Sequence, residues 1–347
     1  MAWRGLWGRG RGDGESKQLA DATIRDVARR AGVSVASVSR TLNAPASVQE
    51  ATRARILTAI AELGYVPHAG ARSLSTRLSH AIGVVLPDLH GEFFSELVRG
   101  MDRAASAHGY QLFLSTMHAD AALAAQAIRA MRWRVDGLIV MAPQLGPADL
   151  AVMVSGSLPT VVVNSIDGGG RHILRIDNRH GVDALIDHFA GLGRRRIVHI
   201  GGPAGNIDAI ERADAYRAAM ARIAPDWSPI IIDGDFSEEA GAAAVAQLAR
   251  DEIAFDALFA ANDMMALGAL NALRAAGRKV PEDVVVAGFD DIPLARYLGL
   301  TTLTVRMDEL GERAVMRLIG ELKGPPPPPA IELVKPLLAI RSTSGAE

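Results

Sequence analysis

The chain has 347 residues, too many for one ordinary core, and its 49% hydrophobic and 22% charged residues are a globular balance. It has no cysteine, which excludes disulfides and thiolate metal sites, and no stretch approaches the roughly 20 apolar residues of a membrane span. The net charge of −2 conceals a division: 12 of the 37 Lys and Arg but only 6 of the 39 Asp and Glu fall in residues 1–78, so a segment of +6 precedes a body of −8. A basic end on an acidic body suits an anionic partner, although a solvated basic tail would give the same charge count.

Residues 1–20 are rich in Gly, Arg and Ser without periodicity and are predicted to be a disordered tail. The run Gly8-Arg9-Gly10-Arg11-Gly12 lacks a strand before it and a helix after it, so it is not a nucleotide loop. No continuous apolar stretch follows Trp3, Leu6 and Trp7, so no signal peptide is expected and the chain is assigned to the cytoplasm.

From Thr23 the pattern predicts three short helices. Ile24, Val27, Ala28 and Ala31 form one apolar helical face, with Thr23 as N-cap, Asp26 at N3 and Gly32 as breaker. Ser34 can cap a second helix that turns Val38 and Leu42 inward and leaves Ser37, Arg40 and Thr41 outward. A third helix is predicted from Ser47, with Glu50 completing a capping box; it buries Val48, Ile56, Ile60 and Leu63 and stops at Gly64. Pro67 opens a short helix-capable linker to Leu74.

From Ala81 Val/Ile-rich runs alternate with helical patterns. Strands are predicted at 81–87, 110–115, 136–142 and 159–163, then at 196–201, 229–233, 256–261 and 283–289. Non-alternating strands separated by helices indicate parallel sheets covered on both faces. Two sets of about four strands imply an α/β core of two doubly wound lobes, with a ligand cleft at the carboxyl ends of the strands.

Two short helices joined by a tight glycine turn have helix-turn-helix geometry, in which the second helix reads the major groove. An ordinary helical hairpin is the alternative. The segment TIRDVARRAGVSVASVSRTLN (Thr23–Asn43) resembles the headpiece of the LacI/GalR family, notably in Ala28, Gly32-Val33-Ser34, Val38-Ser39-Arg40 and Asn43. The small apolar Val35 and Ala36 suit thymine methyls, and Arg40 can donate two hydrogen bonds to a guanine. Ser34, Ser37, Ser39 and Asn43 suit phosphates, with Thr23, Arg53 and Tyr65 as further DNA-side candidates. In the family, the positions of Val35 and Ala36 largely select the operator.

The linker PHAGARSL resembles the family's hinge helix, which implies minor-groove contacts by His68, Ala71, Arg72 and Leu74, with Leu74 as the wedge between base steps. Gly70 departs from the bulkier residue usual there and costs a helix about 1 kcal/mol, so this hinge is expected to fold only when paired on DNA.

Residues 81–344 resemble the family's periplasmic-binding-protein-like core, on the landmarks FFSELVRGM, VDGLIVM, GGPAGNIDAIERADAYRAAM, FAANDMMALGAL and VAGFDDIPLARY. The resemblance implies a sugar-like effector held by Arg212, Asp290 and Asn262, stacked on Phe236, with Phe93 on the opposite lobe. Asn164 stands where an aspartate is frequent; Asn206 and Asp208 fall in a loop after a strand, and of the two Asn206 joins the set. Asp263 and Asp291 are alternatively caps, and Asp177-Asn178 can serve the crossover between lobes.

The implied organisation is a headpiece at 21–66, a hinge at 67–78 and a sensing and dimerising core at 79–345. Lobe 1 takes about 79–176 and 308–335; lobe 2 takes about 179–305 and 337–345. The implied function is a repressor of transcription whose affinity for a pseudo-palindromic double-stranded DNA operator follows effector binding. No leucine heptad follows LLAIRSTS, so a homodimer is expected rather than a tetramer. Two other classes fit parts of the chain. A transport-associated binding protein would lack the headpiece. An enzyme could use Asp290-Asp291 as acid and base, but no nucleophile, metal or phosphate-loop pattern accompanies them. No catalytic residue, metal or cofactor is assigned.

Overall fold

The computed structural model describes residues 22–43, 45–65, 78–89, 91–118, 120–325 and 328–345. The tail expected at 1–20 and the hinge candidates His68, Gly70, Ala71, Arg72 and Leu74 lie outside these residues. The chain divides into two units, Met1–Ser79 and His80–Glu347.

The first unit contains helices α1 (Ile24–Ala31), α2 (Val35–Asn43) and α3 (Glu50–Leu63). Val27, Ala28, Ala31, Val38, Ile56, Ala59 and Tyr65 form its buried core, with Ile60 and Leu63 packed at the edge. Gly32 and Gly64 close α1 and α3 in the left-handed region, at φ 62° and 58°, where a side chain would be strained. Two details differ from expectation. Pro45–Ser47 forms a 3-10 turn, and α3 starts at Glu50 with Gln49 as an N-cap that makes no side-chain cap bond. The Ser-x-x-Glu spacing therefore lies across a separate turn. Thr41 is buried rather than outward, its hydroxyl donating to the Ser37 carbonyl at 3.0 Å.

The second unit holds a six-stranded parallel sheet in the order β11-β5-β4-β3-β1-β2 and a four-stranded parallel sheet in the order β7-β6-β8-β9. The first comprises β1 (Ala81–Leu86), β2 (Gln111–Thr116), β3 (Gly137–Met141), β4 (Thr160–Val163), β5 (His172–Ile176) and β11 (Ile331–Val334). Its helices are α4 (Glu92–Ala107), α5 (Ala121–Met131), α6 (Pro147–Met153) and α12 (Met307–Lys323). The second comprises β6 (Ile197–Ile200), β7 (Ile230–Ile232), β8 (Ala257–Ala260) and β9 (Val285–Ala287). Around it lie α7 (Asn178–Gly191), α8 (Ile207–Ile223), α9 (Glu238–Arg250), α10 (Asp263–Ala275) and α11 (Pro293–Tyr297). A two-stranded antiparallel ribbon pairs β10 (Thr302–Thr304) with β12 (Leu337–Ala339).

All eight predicted strands are present. The first sheet exceeds the expected four because β5 and β11 extend it, and the β10–β12 ribbon is a further addition. The chain passes between the lobes three times: from β5 to α7, from β10 to α12, and from β11 to β12. One apolar cluster runs through both lobes, from Ile82, Leu97 and Leu310 to Tyr216, Phe259 and Phe289. In each lobe one helix pair is in backbone contact. A Cβ on Gly100 would lie 1.9 Å from the Asp308 carbonyl oxygen, and one on Gly268 would lie 1.9 Å from that of Glu238.

Candidate DNA-reading surface and effector cleft

The headpiece positions its second helix by local rules. Asp26 accepts from the Thr23 amide at 3.0 Å, and the Thr23 hydroxyl lies 3.4 Å from the Asp26 amide, a complete capping box. The Thr23 hydroxyl also donates to Asp26 at 2.6 Å, and these bonds hold the Asp26 carboxyl below its ordinary pKa. Thr23, a DNA-side candidate, thus spends its hydroxyl on the cap. Ser34 caps α2, its hydroxyl accepting from the Ser37 amide at 3.1 Å. Ser34 and Ser37 are also joined hydroxyl to hydroxyl at 3.0 Å.

Val38 is fully buried, which fixes the rotation of α2 and sends Val35, Ala36 and Arg40 outward. At about 100° per residue these three, with Ser39 between them, lie on one arc of the helix. Val35 remains 42% exposed, an apolar side chain that only a partner can cover. Arg53 is half-buried beside Glu50, their charged groups 3.6 Å apart. Tyr65, expected toward the phosphates, is instead packed in the headpiece core. The side chain of Asn43 lies outside the described part.

In the second unit the carboxyl ends of β4, β6, β8 and β9 converge. Arg212, on α8, is buried; its Nε donates to Asn178 Oδ1 at 2.9 Å and its Nη1 to the Ala261 carbonyl at 2.5 Å. Its guanidinium lies 3.5 Å from the centre of the Phe289 ring, and its Nη2 is 3.9 Å from Asp290 Oδ1. That oxygen of Asp290 is buried without a hydrogen-bond partner. Burial, reinforced by the Asp208 charge and opposed by Arg212, pushes the Asp290 carboxyl up to about 7.

Asn164 ends β4 at φ 46°, a left-handed conformation that asparagine tolerates. Its Nδ2 donates to Asp208 Oδ2 at 3.0 Å, and its Oδ1 is buried without a partner. The amide is explained by this neighbour: an aspartate at 164 would set two carboxylates against each other. Asn178 donates to the other Asp208 oxygen at 2.9 Å and to Glu211 at 2.9 Å, and Glu211 pairs with Arg175. The lobes also meet through the Ile207 amide donating to the Pro143 carbonyl at 2.9 Å and the Leu294 amide donating to Glu92 at 3.1 Å.

The remaining candidates divide. Asn262 caps α10, accepting from the Met265 amide at 3.0 Å, and donates to the Phe236 carbonyl at 3.0 Å. Phe236, at φ 73°, lays its ring over Gly202. Phe93 and Asp290 share a cavity of about 330 Å³ with Met307 and α11. Asn206 caps α8, its Oδ1 bound to the Ala209 amide at 3.1 Å, while its neighbour Asp208 takes the place in the network. Asp208, Asn178 and Glu211 were not among the expected effector residues. A larger cavity, about 360 Å³, lies at the first crossover around Arg175, Asn178 and Glu211 and contains none of the expected set.

Asp291 is tied to Arg341 at 2.6 Å. Asp263 is fully buried and accepts from the Thr302 hydroxyl at 2.5 Å and the Ile292 amide at 2.9 Å, which holds the loop carrying Asp290 at φ 114°. Burial and the Asp290 charge raise the Asp263 carboxyl well above its ordinary value.

Residues 23–68 match the family "Bacterial regulatory proteins, lacI family", and residues 186–344 match "Periplasmic binding protein-like domain". The ribose operon repressor of Escherichia coli (strain K12) is 37% identical over 88% of this chain and 94% of its own length. The HTH-type transcriptional repressor CytR of the same strain is 33% identical over 89% of this chain and 92% of its own. Among solved structures, the lac repressor dimer bound to operator and the anti-inducer ONPF superposes with a TM-score of 0.86 at 28% identity, covering 94% of this chain and all of that one. A TM-score of 0.69 at 29% identity relates it to the transcriptional regulator CelR in complex with cellobiose, covering 93% of this chain and 99% of that one. No helix among the described residues is long and apolar enough to cross a membrane. With a helix-turn-helix unit, a two-lobed unit and these matches, the chain belongs to the lacI family of bacterial regulatory proteins and is a DNA-binding regulator of transcription.

Proposed function

We propose that this protein is a cytoplasmic repressor that binds a pseudo-palindromic operator as a homodimer, and that a neutral sugar of the ribose class sets its affinity from the cleft. Residues 21–66 read the duplex through Val35, Ala36 and Arg40, residues 67–78 form the hinge, and residues 79–345 bind the effector and the second subunit. The observation that carries this reading is the buried network Arg212–Asn178–Asp208–Asn164, which joins the two lobes beside the unpartnered oxygen of Asp290.

Sugar hydroxyls donate to the open oxygens of Asn164 and Asp290, while Arg212 offers its remaining guanidinium donors to a ring or hydroxyl oxygen. The buried cation already faces Asp290 and Asn178, so a neutral ligand fits the cleft better than an anionic one. Because Asn164 comes from lobe 1 and Asp208 from lobe 2, a ligand between them changes the angle of the lobes. Such coupling is typically about 1–3 kcal/mol. The protein acts by binding rather than turnover: Asp291 is committed to Arg341, which supports Asp290-Asp291 as a ligand group beside a scaffold group and not as an acid–base pair.

The similarity to a ribose operon repressor makes ribose the first effector to try. Selection of bound duplexes from a random pool, repeated with ribose and other pentoses and hexoses, tests the proposal. A half-site pattern whose recovery changes with one neutral sugar is expected. Recovery of duplexes without sequence preference, or indifference to every neutral sugar, overturns it.

A further inference from the structure

Trp133 stands outside both the cleft and the core. It is 91% exposed, the greatest exposure of any large apolar side chain among the described residues. It follows α5 directly, between Arg132, the C-cap of that helix, and Arg134, with Arg129 in the last turn; all three arginines are exposed. Arg132 donates one bond, to the Ser155 carbonyl at 2.9 Å. Among the described residues Arg129 and Arg134 make no ion pair. An exposed aromatic ring in a segment with three exposed arginines buries little in the fold and has the composition of a surface for an anionic partner.

The place of this patch in the chain selects the partner. Two residues beyond Arg134, Asp136 accepts from the His80 amide at 2.8 Å, and His80 is where the chain enters the second unit from the headpiece. The 12 residues between Tyr65 and Leu78 reach at most about 45 Å when fully extended. Once the headpiece is on a duplex, Leu78 is held within that reach of Tyr65, and the Trp133 segment adjoins this entry point through Asp136. A tether of this length turns a second contact into an intramolecular one. The linker itself is the wrong occupant: residues 66–77 carry Arg72 and Arg77 and no acidic residue.

We propose that Arg129, Arg132, Trp133 and Arg134 form an accessory DNA contact on lobe 1, binding the duplex that flanks the operator. The arginines meet backbone phosphates and the indole lies against deoxyribose. The contact adds affinity and salt dependence without reading sequence. The inference rests on the reading of α2 as the operator-contacting helix.

Fluorescence anisotropy with the full chain tests it on two duplexes: the selected operator alone, and the same operator extended by about one helical turn on each side. The wild-type chain is expected to bind the extended duplex more tightly and with a steeper dependence on salt, by about 0.9 in the log–log slope for each arginine that reaches a phosphate. Arg129→Ala/Trp133→Ala/Arg134→Ala is expected to bind both duplexes alike, with the affinity of the wild type for the short one and an unchanged melting temperature. The single variant Arg134→Glu, which leaves the indole in place, should lose the same gain. Equal wild-type affinity and slope on the two duplexes overturns the proposal, as does a triple variant that keeps the gain. Loss of a protein partner by the triple variant while its preference for flanks persists also overturns it, and assigns the patch to protein. Binding to neither duplex by the wild type would instead strike the reading of α2.

Discussion

The reading helix and the cleft are built on opposite principles. On α2 the proposed recognition side chains Val35, Ala36 and Arg40 are exposed, and only the caps beneath them are engaged. In the cleft, Arg212, Asn164, Asp208 and Asn178 are buried and bonded to one another before any ligand arrives. DNA therefore meets a surface that needs no internal rearrangement, and its affinity is a sum of new contacts. At the proposed effector site a ligand would compete with partners already in place, so its affinity would be a difference, and the same residues hold the lobes together.

That contrast predicts separable failures. The largest is at Arg212→Ala, which leaves Asp290 buried without its cation and Asn178 Oδ1 without its donor. Loss of effector binding is expected together with a stability loss of about 3–5 kcal/mol, read by urea unfolding and by calorimetric titration with ribose. A variant as stable as the wild type would show that the network is not structural. Arg40→Ala, in contrast, should weaken operator binding by about 1–3 kcal/mol in anisotropy and leave unfolding and sugar titration unchanged.

Asn164→Asp should weaken ribose binding at pH 8, where the new carboxylate faces Asp208, and recover part of the loss at pH 5. An effect independent of pH would mean that the Asn164–Asp208 bond does not govern the site. Asp290 gives a gentler signature. Its carboxyl is raised to about 7 in the fold against 3.8 as the ordinary value, so its contribution is fully present below about pH 4 and is lost as pH rises through 7. Asp290→Asn should therefore gain stability relative to the wild type between pH 4 and pH 8, seen as a diverging pair of melting curves. Parallel curves would refute the raised value. The smallest effect is at Thr23→Ala, where loss of the cap should cost about 1 kcal/mol of headpiece stability with no change in the salt slope of DNA binding.

The same contrast governs what the sequence made legible. The headpiece was readable because its determinants are local: Thr23 and Asp26, Gly32, and Ser34 each act on residues no more than four positions away. Where Ser47 and Glu50 matched the same spacing, an intervening 3-10 turn moved the cap to Gln49. The eight strands read correctly are mostly apolar runs, whereas β5 contains His172 and Arg175, β11 contains Glu332, and β10 is Thr-Leu-Thr. The cleft was half legible. Arg212 and Asp290 face each other, but Asn164 is linked to them only through Asp208 and Asn178, which lie 30 residues apart and touch only across a crossover. The choice of Asn206 over Asp208 could have been reversed from sequence, since an asparagine three residues before Ala209 at a helix start is a cap by pattern.

The glycine contacts between helices decide how such a chain can move. Gly100 and Gly311 place the backbones of α4 and α12 against each other, and Gly241 and Gly268 do the same for α9 and α10. With no side chain at these crossings there is nothing soft to compress, so each helix pair behaves as a rivet. Neither lobe can absorb an effector by swelling or by sliding its helices apart. Displacement at the cleft is then expected to fall on the three chain segments between the lobes, as a rotation of one plate against the other rather than a distortion within either.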